Sequence, residues 1–269
     1  MQRNQTNAGE LPMLLAIDAG NTNLTLGLYD GSELRLQARL ATDRRLTPDQ
    51  LAVQLASIFQ LYQMESRNCE DAVISSVVAE LTATLASAAQ KLTGRLPLVL
   101  VPGVKTGLNI RIDNPAQLGA DLIATAVGAK LRYPLPCLII DLGTATKISA
   151  VGQDGSFLGC SIAAGLAISL EALAAFTSAL PRVAFEAPPR CIGTNSIDSM
   201  QAGVVFGTAA MIDGMVARME QEMGMPAQTI VATGGLSREI IRHCNREIIH
   251  SKDLALFGLR EIYRRNRGD

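Results

Sequence analysis

Continuous apolar runs and short alternating runs succeed one another along this chain. Met13 to Ile17 is apolar throughout, the pattern of a buried strand, and it stops at Asp18-Ala19-Gly20-Asn21-Thr22, which is turn chemistry. Leu24, Leu26 and Leu28 then alternate as in a half-buried strand, and Asp30-Gly31 signals a hairpin. Thr47-Pro48-Asp49-Gln50 predicts a helix start: Thr47 caps, Pro48 suits the first turn and Gln50 completes a capping box. Leu51, Leu55, Ile58 and Phe59 follow at helical spacing. Ala72 to Val78 predicts a strand, Leu81 to Leu92 a helix, and Leu98 to Val101 a closing strand. A further helix is expected from Asn114-Pro115 to about Leu131.

The opening then repeats. Cys137 to Ile140 is an apolar strand ending in Asp141-Leu142-Gly143-Thr144-Ala145-Thr146, Ile148 to Val151 makes a second strand, and Asp154-Gly155 a second hairpin. Asp18-x-Gly20 answers Asp141-x-Gly143 at a separation close to half the chain. Two copies at so long a period make a duplicated α/β domain, not a solenoid. The expected division is a flexible tail over 1–12, a first domain over 13–114 and a second over 115–269. A long helix from about Asn195 to Met223 follows, then a strand over Thr229 to Ala232, the turn Thr233-Gly234-Gly235, and a helix from Ser237.

Composition narrows the function classes. The 269 residues are 48% hydrophobic, enough for a substantial core, and the net charge of -1 favours neither nucleic acid nor an anionic membrane. No apolar run reads as long enough to span a bilayer. Five cysteines without a C-x-x-C pair predict reduced, mostly buried thiols and a cytoplasmic protein. His243 and His250 are the only histidines and are expected at the surface, and Met211, Met215 and Met219 follow a helical core spacing.

Asp-x-Gly loops after buried strands carry the candidate chemistry. Phosphate needs backbone N–H donors with no Cβ in the way, which glycine permits, and neighbouring hydroxyls add donors. An aspartate beside phosphate requires a cation between them, so Asp18 implies Mg²⁺. Two such loops, from two half-domains, suit a polyphosphate, and the Gly234-Gly235 turn leaves room for a flat base.

With these motifs in their order, the chain resembles the type III pantothenate kinases from about Leu14 to Asn266. Asp18-Ala19-Gly20-Asn21-Thr22 and Asp141-Leu142-Gly143-Thr144-Ala145-Thr146 resemble that family's two phosphate motifs. Lys105-Thr106-Gly107-Leu108-Asn109-Ile110, Gly119-Ala120-Asp121, Leu180-Pro181-Arg182-Val183 and Thr233-Gly234-Gly235 resemble further segments. The resemblance implies an actin-like ATPase fold (ribonuclease H-like, two duplicated α/β domains) and phosphorylation of pantothenate by ATP on the way to coenzyme A. It implies a homodimer with the substrate site at its interface. Asp121 would be the general base, Asp18 would hold Mg²⁺, and Asp141 a monovalent cation, K⁺ or NH₄⁺. Gly20, Asn21, Thr22, Gly143, Thr144 and Thr146 would line the phosphates, Gly234 and Gly235 the adenosine, and Gly119 and Thr177 the substrate. Read without the family, Asp121 is a carboxylate inside a helix and Thr177 a helix-end hydroxyl.

Several positions depart from the family pattern. Leu122 stands where an arginine is expected to meet the pantothenate carboxylate, and Ile112 where a tyrosine is frequent. Lys147 and Ser149 replace a threonine and an aspartate, and Ala164 replaces a proline. The acceptor side is thus altered while the ATP side is kept. Two alternatives follow: a nucleotide-binding paralogue acting as a regulator, or an actin-like kinase for another small alcohol. Lys147 raises a separate expectation, that its ammonium takes the place of the monovalent cation beside Asp141. The competing reading is a strand lysine facing solvent.

Overall fold

The computed structural model describes residues 13–65 and 68–267, so the tail expected over 1–12 lies outside the described residues. The described residues form two compact units, the first drawn from 13–106, 119–124 and 255–267, the second of 107–118 and 125–254.

In the first unit β1 (Met13–Ala19) is buried along nearly all of its length and pairs antiparallel with β2 (Asn23–Asp30), which pairs with β3 (Glu33–Ala41). Gly31, at φ 56, makes the tight β2–β3 turn that Asp30-Gly31 announced. On its other side β1 runs parallel to β4 (Cys69–Ser76), and β4 to β5 (Leu98–Val99), giving the order β3-β2-β1-β4-β5. Helix α1 (Pro48–Leu61) starts with the expected capping box between Thr47 and Gln50. Helix α2 (Ala79–Thr93) ends at Gly94 in the left-handed conformation. Leu51, Leu55 and Phe59 of α1 and Leu81 and Leu85 of α2 pack with Leu15 and Ile17 of β1 in one core.

The same sheet is also met by α7 (Leu254–Arg267). Tyr263 Oη donates to Asp71 Oδ2 at 3.0 Å, and the Arg260 guanidinium lies over the rings of Tyr29 and Phe257 while donating to the Ser32 carbonyl. Asp71 is a buried carboxylate, so α7 supplies the partner that its burial requires.

The second unit repeats the plan. Strand β7 (Cys137–Leu142) pairs antiparallel with β8 (Ala145–Val151), and β8 with β9 (Ser156–Ala164). On the other side β7 runs parallel to β10 (Thr229–Thr233), and β10 to β11 (Ile249–His250). Strand β6 (Asn109–Ile110) adds an edge beside β9. Setting β6 aside, the two sheets have one topology, which is the duplicated α/β arrangement of an actin-like ATPase. Helices α4 (Leu166–Phe176) and α5 (Ser196–Met223) cover one face of the second sheet.

Several expectations need correction. The helix expected from Asn114 to about Leu131 is broken. Asn114 caps a short 3-10 turn over Pro115–Gln117, Leu118 is extended, and α3 begins at Ala120 and runs to Arg132. Asp121 therefore stands in the first turn of α3 and not in its interior. Among the described residues, α5 is long and apolar enough to cross a membrane, which the run-by-run reading did not single out. It is instead a core helix of the second unit: Met200, Val205, Ala209, Ile212 and Val216 are buried, and Met211, Met215 and Met219 pack against the same core. The cysteines are not mostly buried, since only Cys69 and Cys137 are, while Cys160 and Cys191 are exposed. His250 is exposed as expected, whereas His243 packs edge-on against Phe206 at 5.1 Å.

Candidate active site

The first half of the site is the loop between β1 and β2. Asp18 lies near the carboxyl end of β1, in register with Thr25 on one side and Ser75 on the other. Ligands of open α/β sheets bind beyond such strand ends. Gly20 N–H donates to the Asn23 carbonyl at 2.9 Å, which closes the turn and leaves Asn21 and Thr22 exposed at its tip.

A segment that the sequence reading passed over braces this loop. Thr42 Oγ1 donates to the Gly20 carbonyl at 2.7 Å, Thr42 N–H to the Thr22 carbonyl at 2.9 Å, and Arg44 Nη2 to Asn21 Oδ1 at 3.0 Å. The only advance signal was a polar cluster, Thr42 to Arg45, just after a strand.

Asp121 belongs to the same unit. Its carboxyl group folds back over Gly119 so closely that a Cβ on Gly119 would stand 2.6 Å from Asp121 Oδ1. A Cβ there would push the Asp121 carboxyl group out of this position, which gives the Gly-x-Asp spacing a physical reason. Val77 ties the two elements together. Its N–H donates to the Ala19 carbonyl at 3.1 Å, and its side chain is 3.9 Å from that same Cβ position. One residue therefore separates the first loop from the turn that carries Asp121. Leu122, next in the helix, is buried with 7% of its surface exposed.

The second unit gathers three backbone segments. A Cβ on Gly165, the cap of α4, would stand 2.2 Å from the Thr144 carbonyl oxygen and 2.7 Å from that of Gly143. Gly234 has φ 97, and a Cβ there would meet the Leu142 carbonyl oxygen at 2.5 Å. The Gly143–Thr144 loop, the start of α4 and the Thr233-Gly234-Gly235 turn are thus in backbone contact. Gly165 was missed in the sequence, although a glycine between a strand and an apolar run is a helix-start signal. Thr146 follows in β8; only 2% of it is exposed, and its hydroxyl oxygen is buried with no hydrogen-bond partner among the described residues. Buried hydroxyls are normally bonded, so a ligand-facing role suits it.

Asp141 and Lys147 are cross-strand partners in β7 and β8, and Lys147 Nζ lies 2.7 Å from Asp141 Oδ2. The lysine is not a solvent-facing strand residue. Thr177 is not brought to this cluster. It terminates α4 at the end away from Gly165, roughly 16 Å along the helix, exposed, with its hydroxyl donating to the Leu173 carbonyl at 2.7 Å.

Mg²⁺ is usually held by one or two carboxylates together with substrate phosphates and water. Asp18, a half-buried carboxylate beside a glycine turn, fits that role without a denser cluster, and no group of three or more His, Cys, Asp or Glu suited to a metal occurs among the described residues. A monovalent cation on Asp141 does not fit, because an ammonium already sits on its Oδ2.

A family profile described as type III pantothenate kinase matches residues 14–218. A type III pantothenate kinase of Myxococcus xanthus is 43% identical over 256 residues, spanning 94% of this chain and 99% of that one. One from Moorella thermoacetica is 41% identical over 254 residues, spanning 94% of this chain and all of the other. Among solved structures, component A of (R)-2-hydroxyglutaryl-CoA dehydratase from Acidaminococcus fermentans superposes with a TM-score of 0.53 at 16% identity, covering 93% of this chain and 96% of that one.

Proposed function

The chain belongs to the type III pantothenate kinase family, and from that premise we propose that it transfers the γ-phosphoryl group of ATP to the hydroxyl of pantothenate, the first step towards coenzyme A. The observation that carries the assignment of roles is the neighbourhood around Val77, which joins the Asp18–Thr22 loop to the Gly119–Asp121 turn. A phosphate loop and a carboxylate base set that close are what phosphoryl transfer to an alcohol needs.

Asp121 accepts the proton of the attacking hydroxyl as its oxygen bonds to the γ-phosphorus and the bond to the β,γ-bridging oxygen breaks, releasing ADP. Gly20, whose own N–H closes the turn, leaves room beside it for phosphate, Asn21 and Thr22 at the tip line the phosphate oxygens, and Thr42 keeps that loop in shape. Gly143, Thr144 and the Thr146 hydroxyl are assigned to phosphate in the second unit, and Gly234 and Gly235 to the adenosine. Asp18 would hold Mg²⁺, which would supply neutralisation of the phosphate charge. Gly119 lets Asp121 reach its position. Thr177 is assigned to substrate contact in a homodimer, as the resemblance implies. Support for self-association comes from α4: Ile168, Leu173 and Phe176 are exposed, Phe176 to 90%, in a helix that buries only Leu166 and Leu170. The enzyme is assigned to the cytoplasm.

A second acceptor is favoured by one observation. Leu122 is buried and apolar, so position 122 offers nothing to a carboxylate. The test is ADP release from Mg-ATP with and without pantothenate, with Asp121→Asn as control. Turnover that needs pantothenate and disappears in the variant is the expected result. Nucleotide binding with no pantothenate-dependent turnover would sink the pantothenate assignment and turn the search to other small alcohols.

A further inference from the structure

The ion pair between Lys147 and Asp141 lies at the base of the second phosphate loop. The two residues are direct neighbours across β7 and β8, their side chains are only 15% and 19% exposed, and Nζ and Oδ2 are 2.7 Å apart. Asp141 Oδ1 is 3.6 Å from where a Cβ on Gly143 would stand, so the carboxylate faces the open space beside that glycine of the loop. A carboxylate in that position opposes any phosphate held by Gly143 and Thr144, and poor exposure to water strengthens the opposition. A single positive charge on the carboxylate removes it. A lysine ammonium is a compact point charge with three donors, the closest that a side chain comes to a monovalent metal ion or ammonium.

We propose that Lys147 is the built-in monovalent cation of this phosphate loop, and that the protein consequently binds nucleotide without K⁺ or NH₄⁺. The inference rests on the reading of Gly143–Thr146 as a phosphate loop. A free ion occupies its site only as its concentration exceeds its dissociation constant. A charge on the neighbouring strand is present whenever the sheet is formed, because pairing of β7 with β8 fixes Lys147 opposite Asp141. The site thereby ceases to respond to the ionic composition around it.

The experiment is calorimetric titration of MgADP in KCl and in tetramethylammonium chloride at equal ionic strength. The wild-type affinity is expected to differ by less than about twofold between the two salts. Lys147→Thr, which leaves Asp141 without its ammonium, is expected to lose about tenfold or more in tetramethylammonium and to recover in K⁺ or NH₄⁺. Its melting temperature should likewise rise with K⁺ while that of the wild type does not. A wild-type affinity that climbs steeply with K⁺ overturns the proposal, and so does a Lys147→Thr variant with undiminished affinity in tetramethylammonium. Should that variant not fold, the wild-type titration alone decides. Wild-type protein that binds MgADP in neither salt refutes the phosphate-loop reading and this inference with it. Absence of pantothenate turnover touches neither, because the readout does not involve the acceptor.

Discussion

Gly165 and Thr144 touch backbone to backbone: a Cβ on the former would lie 2.2 Å from the carbonyl oxygen of the latter. Nothing flexible is available there to give way, since the nearest atoms are all main chain. Gly165→Ala must therefore displace the second phosphate loop. The expected result is a loss of about tenfold or more in MgADP affinity, with the far-UV circular dichroism unchanged. Calorimetric titration of the variant checks it, and an affinity equal to wild type would show that the loop does not carry phosphate.

Thr42 is expected to act through the first loop. Thr42→Val deletes the hydrogen bond to the Gly20 carbonyl while keeping the shape of the side chain. A hydrogen bond of this kind is worth about 0.5–1.5 kcal/mol, so KM for ATP should rise by roughly two- to tenfold. Thr42→Ser should restore most of the loss, a rescue that a packing defect would not show.

The Arg132–Asp253 pair sets a dependence of stability on pH. Burial alone would raise the Asp253 pKa, but the Arg132 fork, at 2.8 and 3.0 Å from the two carboxylate oxygens, outweighs it and holds the group below its ordinary value. A carboxyl whose folded pKa is depressed stabilises the fold above its unfolded pKa of ~3.9 and loses that contribution as pH falls through the folded value. Asp253→Asn should accordingly melt earlier than wild type at pH 7, by about 1–3 kcal/mol, and the gap should close in acid below ~3.9. Thermal melts across that range test the sign.

Thiol reactivity should divide the cysteines. Burial pushes the thiols of Cys69 and Cys137 up to about 12, whereas Cys191 is exposed. Only thiolate reacts, so at pH 8 a maleimide should label Cys191 in the native protein and reach Cys69 and Cys137 only after denaturation. Mass spectrometry of the labelled peptides reads the result directly. Labelling of Cys137 at the native rate of Cys191 would contradict the burial of β7.

Much of the fold was legible because buried strands are written as unbroken apolar runs, and because the Asp-x-Gly turns recur in the same place within each half. The α1 start was legible from Thr47, Pro48 and Gln50, whose chemistry is local. Features decided by packing were not. Helix α4 is apolar nearly all round, so Leu166–Phe176 shows no polar stripe to mark it, and α7 is identified by what Tyr263 and Arg260 meet in distant strands. The break at Leu118 and Gly119 hides inside a plausible helical stretch, where the Asp121 carboxyl group folds back over Gly119. Lys147 was readable only as one of two alternatives. Its orientation follows from a strand register that places it opposite Asp141, and sequence alone does not state that register.

Helix α7 has a consequence for the order in which the protein is made. The sheet of the first unit is complete in sequence by β5, yet the partners of Asp71, Tyr29 and Ser32 lie in the last helix. At about 5–20 residues per second, a ribosome that has finished β5 works for on the order of ten seconds before it delivers them. Throughout that interval the nascent first sheet carries a face without its cover, a target for chaperones and for unwanted association. The half of the enzyme that leaves the ribosome first is the half whose assembly finishes last.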